Sequence, residues 1–479
     1  MVASTLERLT ASDMFLLLWD DFGWSGDIGG LAILDGTSLL DREGRVRIEY
    51  VRRHLELRLH LVPRFRQRLY RPRRGLGWPL WVDAASFDLA DHVRVHPLAA
   101  PGDPAQLLQA CEQLARRRLD PRRPLWELWL LPGLPDRRVG AFLKLHHAIA
   151  DGIAGVAAFG ALLDLTADAP TPVAPAWMPT PIPTSAELLR DNLRRRGQGL
   201  GQALRGIAHP SRTLRRARDA WPAWWEFLAE QRAPRTSLNR PIGAERQLAI
   251  VRSRVEVAKR VAHAHNAKVN DVVLAAVAGG LRQLLSSRGE DVQELTLRAM
   301  VPISLRQGQP RQASGNQDGW MMVPLPLGES DPVRRLQLIA AETAERKLKP
   351  RPRTGSGVPL LFQRAFLRGF RHQRLLNTSV TNLPGPPVPL YLAGARLLEL
   401  VPVVSLMGNL TLVVAVLSYT GQLNLTAVAD RDTCPDVEIF AQGVQGTLDE
   451  LAGSVLGASF LNGGEIPLEA SSDARSEHA

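Results

Sequence analysis

A proline-crowded stretch divides the chain and excludes a single continuous fold. Between Ala169 and Pro183, prolines recur too densely for a helix or strand, because each lacks an amide hydrogen and fixes its own φ. The 479 residues also exceed what one core usually encloses. The sequence predicts two α/β units, residues 1–168 and 246–461, joined by a linker over 169–245, with a polar, disordered tail over 462–479.

The second part of the linker, residues 185–225, is basic and rich in leucine and tryptophan. Its leucines recur at three- to seven-residue spacing, with arginines between them at Arg190, Arg194, Arg195 and Arg205. This pattern is typical of a helix lying in a membrane interface, with its arginines near anionic headgroups. A crossover helix packed on the protein explains it equally well.

Strand-like and helix-like patterns alternate through both units, which favours the α/β class. Helices are predicted over residues 9–19, 48–61, 104–119, 153–163, 257–265, 268–281 and 437–456. Strands are predicted over 29–36, 87–95, 125–131, 139–145, 246–255, 295–306, 397–406, 409–416 and 422–429, with 125–131 and 139–145 forming a hairpin.

Two adjacent histidines stand at the end of the strand over 139–145. The stretch reads His146-His147-Ala148-Ile149-Ala150-Asp151-Gly152. Neighbouring side chains on a strand point to opposite faces, so the two imidazoles are poorly placed to hold one metal ion. The zinc-protease His-Glu-x-x-His pattern and the Gly-x-Ser-x-Gly of a serine nucleophile are absent. The remaining chemistry is a histidine acting as general base on a hydroxyl, with Asp151 fixing the backbone and Gly152 permitting a tight turn.

Net charge, cysteine content and hydropathy restrict the classes of partner and the compartment that the sequence allows. The formal charge of +11 suggests a polyanionic partner, but no aromatic or zinc-finger signature supports nucleic acid, so phosphorylated cofactors and anionic lipid remain. Alternatively, the excess positive charge comes from arginines that are simply exposed to solvent. The two cysteines fit a reducing compartment, and without a secretory signal or an apolar run of roughly 20 residues the sequence predicts an intracellular protein.

The His-His-x-x-x-Asp-Gly heptad resembles the signature of the wax ester synthase/diacylglycerol acyltransferase family, part of the superfamily of coenzyme A-dependent acyltransferases and condensation domains. Further matches run in family order over nearly the whole chain. They are Leu9–Phe15, Gly29–Ile33, Pro124–Trp126, Val269–Ala275, Val301–Arg306, Gly315–Asn316, Thr381–Pro386 and Gly421–Asn424. The fold implied is two chloramphenicol-acetyltransferase-like subdomains, each a mixed sheet with helices, flanking a central active-site tunnel.

The resemblance implies that His147 is the general base, taking a proton from an alcohol as it attacks an acyl-coenzyme A thioester. His146 is expected to support it, and Asp151 to be structural, paired with Arg306. Asn270 is either an oxyanion donor or, with Asp271, a plain helix cap. Asn382, on a turn facing the site, is a second oxyanion candidate. A cationic loop over 346–353 is either solvated or placed to meet coenzyme A phosphates.

The implied reaction is acyl transfer to diacylglycerol or a long-chain fatty alcohol, by a cytoplasmic protein at a membrane or lipid-droplet surface. Acyl-coenzyme A is the co-substrate, and no resident cofactor or metal is expected. Departures from the family pattern, including Leu383 and the stretch Gln317–Trp320, put the acyl or alcohol preference in doubt. Two alternatives stay open: a polyketide-lipid or condensation-type acyltransferase using a carrier-protein thioester, and a lipid-surface binding protein with a vestigial site.

Overall fold

The computed structural model describes residues 6–149, 152–208, 232–304, 318–348 and 360–456. Two six-stranded sheets and one two-stranded ribbon organise these residues, with helices packed on the large sheets. This arrangement confirms the predicted α/β class and its two sheet-based units. The helices are α1 (Ala11–Asp21), α2 (Ile48–Glu56), α3 (Pro104–Arg116), α4 (Gly152–Gly160), α5 (Ser185–Ala208), α6 (Val255–Ala264), α7 (Val269–Ser287), α8 (Pro332–Leu348), α9 (Leu360–Phe370) and α10 (Val437–Leu456).

The strands follow the predicted positions closely in the first unit and in the last third of the chain. They are β1 (Asp27–Asp35), β2 (Gln67–Tyr70), β3 (Leu80–Asp83), β4 (Val93–Val95), β5 (Trp126–Pro132), β6 (Arg138–His146), β7 (Arg246–Arg254), β8 (Thr296–Ser304), β9 (Asp318–Pro326), β10 (Thr378–Pro384), β11 (Tyr391–Leu392), β12 (Ala395–Val403), β13 (Leu412–Tyr419) and β14 (Gln422–Asp430). The sequence did not predict β2, β3, β9, β10, β11, α8 or α9.

The first large sheet has the order β11-β12-β1-β6-β5-β4. Strands β5 and β6 pair antiparallel, as the predicted hairpin requires, with Trp126 opposite Leu145. Strand β1 pairs on the other side of β6 and places Asp27 opposite His146. The histidine-bearing end of β6 is therefore flanked on both sides by hydrogen-bonded strands.

The second large sheet has the order β7-β14-β13-β10-β8-β9, and β10 runs parallel to both of its neighbours. Helix α7 lies against this sheet and is buried continuously from Asp271 to Leu281. A helix that is apolar on all sides is stable only inside a core, so α7 is the central element of the second unit.

The two units exchange structure. Strands β11 and β12 come from the second half of the chain but complete the first sheet, where β12 pairs with β1. Glu112 of α3 adds a polar tie, accepting hydrogen bonds from the Leu248 amide at 2.9 Å and from Arg431 at 2.7 Å. The predicted domain boundaries remain a prediction, and they do not describe this exchange.

The linker contains the irregular proline-rich segment and the helix that the sequence predicts. Residues 169–184 have no regular secondary structure, as their prolines require, and α5 follows. Its first turns dock on the first unit, because Leu188 is buried and Asn192 donates to the Gly75 carbonyl at 2.7 Å. Residues 209–225 of the predicted linker helix, the side chain of Arg205 and the tail lie outside the described residues. No helix that the structure describes is long and apolar enough to cross a membrane.

Candidate active site

The site begins where β6 ends. The His146 amide donates to the Leu125 carbonyl at 2.9 Å, and the His147 amide donates to the Gly26 carbonyl at 2.9 Å. A turn then closes as the Ile149 amide donates to the His146 carbonyl at 2.8 Å. Backbone hydrogen bonds alone therefore fix the segment that carries both histidines.

The two imidazoles face opposite sides of the sheet, as their adjacency on a strand predicts. His146 is buried, with 2% of its surface exposed, whereas His147 is partly exposed and lines a large cavity. Lys144 shares the face of His146, and Leu143 and Leu145 share the face of His147. Only the second histidine of the pair therefore reaches the cavity.

His146 is held through both of its ring nitrogens. Nδ1 accepts a hydrogen bond from the Ala148 amide at 3.0 Å, so in the neutral ring the proton lies on Nε2. Nε2 lies 3.2 Å from Oδ2 of Asp20, to which it donates. The imidazole thus connects the last residue but one of α1 to the turn that presents His147.

Asp20 and Gly26 complete this support, and sequence reasoning missed both. Oδ1 of Asp20 accepts from the Gly26 amide at 3.3 Å, and a methyl group on Gly26 would lie 2.6 Å from His146 Nε2. Burial alone raises the pKa of the Asp20 carboxyl, but the hydrogen bond and charge of His146, with the Gly26 amide, outweigh it and leave that pKa below its usual value. Asp20 is therefore a carboxylate at neutral pH.

A buried ion pair lies on the same face of the sheet as His146. The Lys144 ammonium is 3.4 Å from Oδ2 of Asp27 and donates to the Leu114 carbonyl at 3.2 Å. Burial raises the pKa of the Asp27 carboxyl, and the Lys144 charge offsets only part of that rise. Asp20, Asp27 and Lys144 thus lie on the face of the sheet that points away from the cavity.

The cavity on the His147 side has a volume of about 570 Å³ and takes its walls from both halves of the chain. This size is in the usual range for small-molecule sites. Aliphatic, methionine and glycine residues form most of the wall. Besides His147, the polar residues lining it in the described part of the chain are Asn270, Lys347, Ser379, Thr381, Asn382 and Ser405. The cavity therefore suits a ligand that has a long apolar chain and a few polar groups.

Asn270 is not the helix cap that was one of its two predicted roles. Helix α7 begins at Val269, and the Lys268 amide donates to Oδ2 of Asp271 at 2.8 Å, so Asp271 fulfils the capping function. The other carboxylate oxygen of Asp271 accepts from the Thr343 hydroxyl at 2.8 Å. Asp271 is buried and structural, which leaves the side chain of Asn270 to line the cavity.

Asn382 lies on a strand, and the prediction that it lies on a turn is wrong. It belongs to β10, where parallel pairing with β13 keeps the backbone extended from Val380 to Pro384. Its Nδ2 donates to Oδ1 of Asn270 at 3.3 Å. The pair joins the centre of the second sheet to the start of α7, and the N–H groups of the Asn270 amide are left to donate elsewhere.

The structure describes only some of the remaining predicted residues. Gly152 is the first residue of α4, directly after the histidine turn. Asp151 and Arg306 lie outside the described residues, so their predicted pairing stays a prediction. Arg346 and Lys347 belong to the last turn of α8 and not to a loop, and Lys347 lines the cavity. Within the described ranges, no group of three or more His, Cys, Asp or Glu side chains is arranged to hold a metal ion.

Comparison with known families places the chain unambiguously. Residues 9–273 match the description "Wax ester synthase/diacylglycerol acyltransferase catalytic domain", and residues 314–452 match "WS/DGAT C-terminal domain". A probable diacylglycerol O-acyltransferase from Mycobacterium tuberculosis is 31% identical over 437 residues, which cover 88% of this chain and 90% of the relative.

Solved structures share the architecture. The wax ester synthase/diacylglycerol acyltransferase from Marinobacter aquaeolei VT8 superposes with a TM-score of 0.66 at 23% identity, covering 94% of this chain and 99% of that one. The first condensation domain of the calcium-dependent antibiotic synthetase superposes with a TM-score of 0.60 at 17% identity, covering 95% and 97%. At these identities the likeness establishes the fold alone.

Proposed function

Because the chain belongs to the wax ester synthase/diacylglycerol acyltransferase family, we propose that it transfers a fatty acyl group from acyl-coenzyme A to diacylglycerol or to a long-chain fatty alcohol, with His147 as general base. Family membership confirms the resemblance seen in the sequence and makes the protein an acyltransferase. The observation that carries the proposal is the position of His147 on the wall of a cavity that is otherwise largely apolar.

The proposed reaction needs one base and no covalent acyl-enzyme. His147 takes the proton of the acceptor hydroxyl while the oxygen attacks the thioester carbonyl. The tetrahedral intermediate then expels the coenzyme A thiolate, and the protonated imidazole returns the proton to the sulfur. A positioned base of this kind contributes roughly 10²- to 10⁴-fold to the rate. Holding both substrates in one cavity adds an entropic advantage.

Asn270 is the proposed donor to the oxyanion of that intermediate. Its carbonyl already accepts from Asn382, which orients the amide N–H groups. It also lies in the first turn of α7, where the helix dipole favours negative charge. Asn382 then acts as a positioning residue for Asn270.

Lys347 is the proposed contact for a coenzyme A phosphate. It is exposed, yet it also lines the cavity, so its ammonium lies at the opening and not in the apolar interior. A lysine in that position attracts a phosphate without placing a charge beside the acyl chain.

The proposed acceptors also suggest where the protein works. Diacylglycerol and long-chain alcohols partition into lipid, and the products are more apolar than the acceptors. We therefore place the reaction at a membrane or lipid-droplet surface in the cytoplasm, with the protein attached peripherally.

The test is turnover of labelled palmitoyl-coenzyme A with dioleoylglycerol or hexadecanol, the products being resolved by chromatography. His147→Ala should lower kcat by about 10²- to 10⁴-fold. Asn270→Ala should cost about 10²-fold or more, the usual effect of losing one oxyanion donor. Asn382→Ala should cost less, because it acts through Asn270.

His146→Ala is the matched control, since it removes the adjacent imidazole from the opposite face of the same sheet. We expect a smaller loss of kcat than for His147→Ala. Undiminished turnover by the His147→Ala variant would contradict the general-base mechanism. Binding of lipid without any turnover by the wild type would favour a non-catalytic role.

A further inference from the structure

Exposed hydrophobic side chains are concentrated in one part of the described chain. Thirteen large hydrophobic residues are exposed in the described ranges, and seven of these lie between Leu165 and Leu200. Another is Trp78, in the loop beside α5. Isolated exposed leucines are normal on a soluble protein, but a cluster of this kind marks an interaction surface.

Docking of α5 determines which of its faces points outward. Arg8 holds the helix by an ion pair with Asp191 at 2.6 Å and a hydrogen bond to the Leu188 carbonyl at 3.1 Å. Arg195 lies on the same inner side, bonded to Asp191 at 3.1 Å and to the Leu6 carbonyl at 3.2 Å. The linker arginines are therefore not equivalent.

The outer face of α5 carries a leucine stripe. Leu189, Leu193 and Leu200 are 45%, 59% and 63% exposed, and their spacing of four and seven residues places them on one side of a helix. The exposed Arg190, Arg194 and Arg196 flank this stripe.

The loop over residues 71–78 extends the surface. It is tied to α5 through Gly75, which accepts from Asn192, and through the Trp78 carbonyl, which accepts from Arg8 at 2.5 Å. Its exposed side chains include three arginines, Arg71, Arg73 and Arg74, and the half-exposed indole of Trp78. Tryptophan beside a leucine stripe, surrounded by arginines, is the composition of an interfacial surface.

We infer that this leucine–arginine surface, formed by the outer face of α5 and the loop over 71–78, docks on an anionic lipid surface. Leucine side chains enter the acyl region while the six exposed arginines remain at the headgroup level. Of the two acidic residues on α5, Asp191 is paired with Arg8 and Arg195, and Glu187 contributes one negative charge against the six exposed arginines. The inference deepens the proposed lipid-surface location but does not depend on catalysis.

The experiment is flotation of the full chain with vesicles of phosphatidylcholine alone or mixed equally with phosphatidylglycerol. Wild type should float with the anionic vesicles and much less with the neutral ones. The variant R190Q/R194Q/R196Q should lose about 10²-fold in partitioning at low salt, since each arginine near an anionic surface contributes about fivefold. L189S/L193S/L200S should lose binding to both kinds of vesicle.

Matched controls change equally exposed residues elsewhere. L61S/L338S replaces leucines that are 55% and 40% exposed, and R42Q/R53Q/R334Q removes three exposed arginines outside the surface. Both controls should float like wild type. Equal loss in the controls and in the surface variants would overturn the inference, because bulk charge or stability would then explain binding.

Two further outcomes also decide the matter. Wild type that fails to float with anionic vesicles contradicts the inference directly. A wild-type dimer that becomes monomeric in L189S/L193S/L200S, with vesicle binding unchanged, assigns the surface to a second copy of the chain. Turnover of the soluble acceptor hexanol should be the same in all these variants, so that failure of the acyltransferase proposal is recognised separately.

Discussion

A single methyl group added at Gly26 should lower activity by displacing His146, on the face of the sheet opposite the cavity. The Cβ of Gly26→Ala would lie 2.6 Å from Nε2 of His146, whereas ordinary contacts begin near 3.4 Å. The ring must therefore retreat by about 0.8 Å, the difference between those two distances. It is buried and bonded through both nitrogens, so it cannot move without losing the bond to Asp20 or the bond to Ala148.

The expected loss follows from that displacement. Overpacking a buried position costs about 1–3 kcal/mol of stability. The Gly26 carbonyl also accepts from the His147 amide, so the shift passes directly to the proposed base. Misplacing a reacting group by about 1 Å costs up to roughly 10²-fold in rate, and we expect kcat to fall about 10- to 100-fold. KM should stay nearly constant, because Gly26 does not line the cavity.

The assay is acyl transfer with kcat and KM determined separately, together with the unfolding temperature. Gly446→Ala is the matched control: this glycine lies in α10 with no atom within 4 Å of an added Cβ, and the change should leave kcat unaltered. Combining Gly26→Ala with His146→Ala provides the stricter test, because the clash then disappears. If Gly26→Ala lowers kcat as much in the His146→Ala background as in the wild type, steric displacement of the imidazole is not the cause.

Two further predictions concern the cavity and the core. A Cβ added at Gly155 would lie 4.0 Å from Ile28 and from Leu145, so the side chain of Gly155→Leu should occupy cavity space. Transfer of palmitoyl relative to octanoyl groups should then fall about tenfold, since each methylene excluded from the cavity loses roughly 0.8 kcal/mol. An unchanged ratio of the two rates would refute this prediction. Burial lowers the pKa of His92 despite its hydrogen bond to the Trp126 carbonyl. Below the unfolded-state pKa of about 6.5 the unfolded chain then binds more protons, so stability falls as pH falls from about 7 to 5. His92→Phe should reduce that slope in urea unfolding, and an equal slope would exclude His92 as its source.

Structural features that depend on residues close together in the chain could be predicted from the sequence. The hairpin before the histidines, the opposite orientation of His146 and His147, and the proline-rich segment all follow from rules that act over a few residues. The capping role that was one of two predicted for Asn270 belongs instead to Asp271, which bonds to the amide of the N-cap residue Lys268, because both side chains are acceptable acceptors near a helix start. Only the position of the first turn distinguishes them.

Contacts between distant parts of the chain were not readable in this way. The link between Asp20 and His146 spans 126 residues, and that between Asn270 and Asn382 spans 112. Neither has a local pattern, because a carboxylate at the end of a helix or an asparagine in a strand has many possible partners. The pairing of β12 with β1 was hidden for the same reason, although β12 itself was predicted.

The different surroundings on the two faces of the first sheet explain how one of two adjacent imidazoles can take part in the proposed reaction while the other does not. Asp20 and the Asp27–Lys144 pair, which the structure describes next to the histidines, lie on the side of His146. The cavity on the other side is left apolar around His147. In the proposed mechanism, an amide such as Asn270 stabilises a developing oxyanion more strongly in such surroundings than in water. In the proposed mechanism, the first histidine fixes the position of the second from the opposite face of the sheet, where its own polar partners lie outside the cavity.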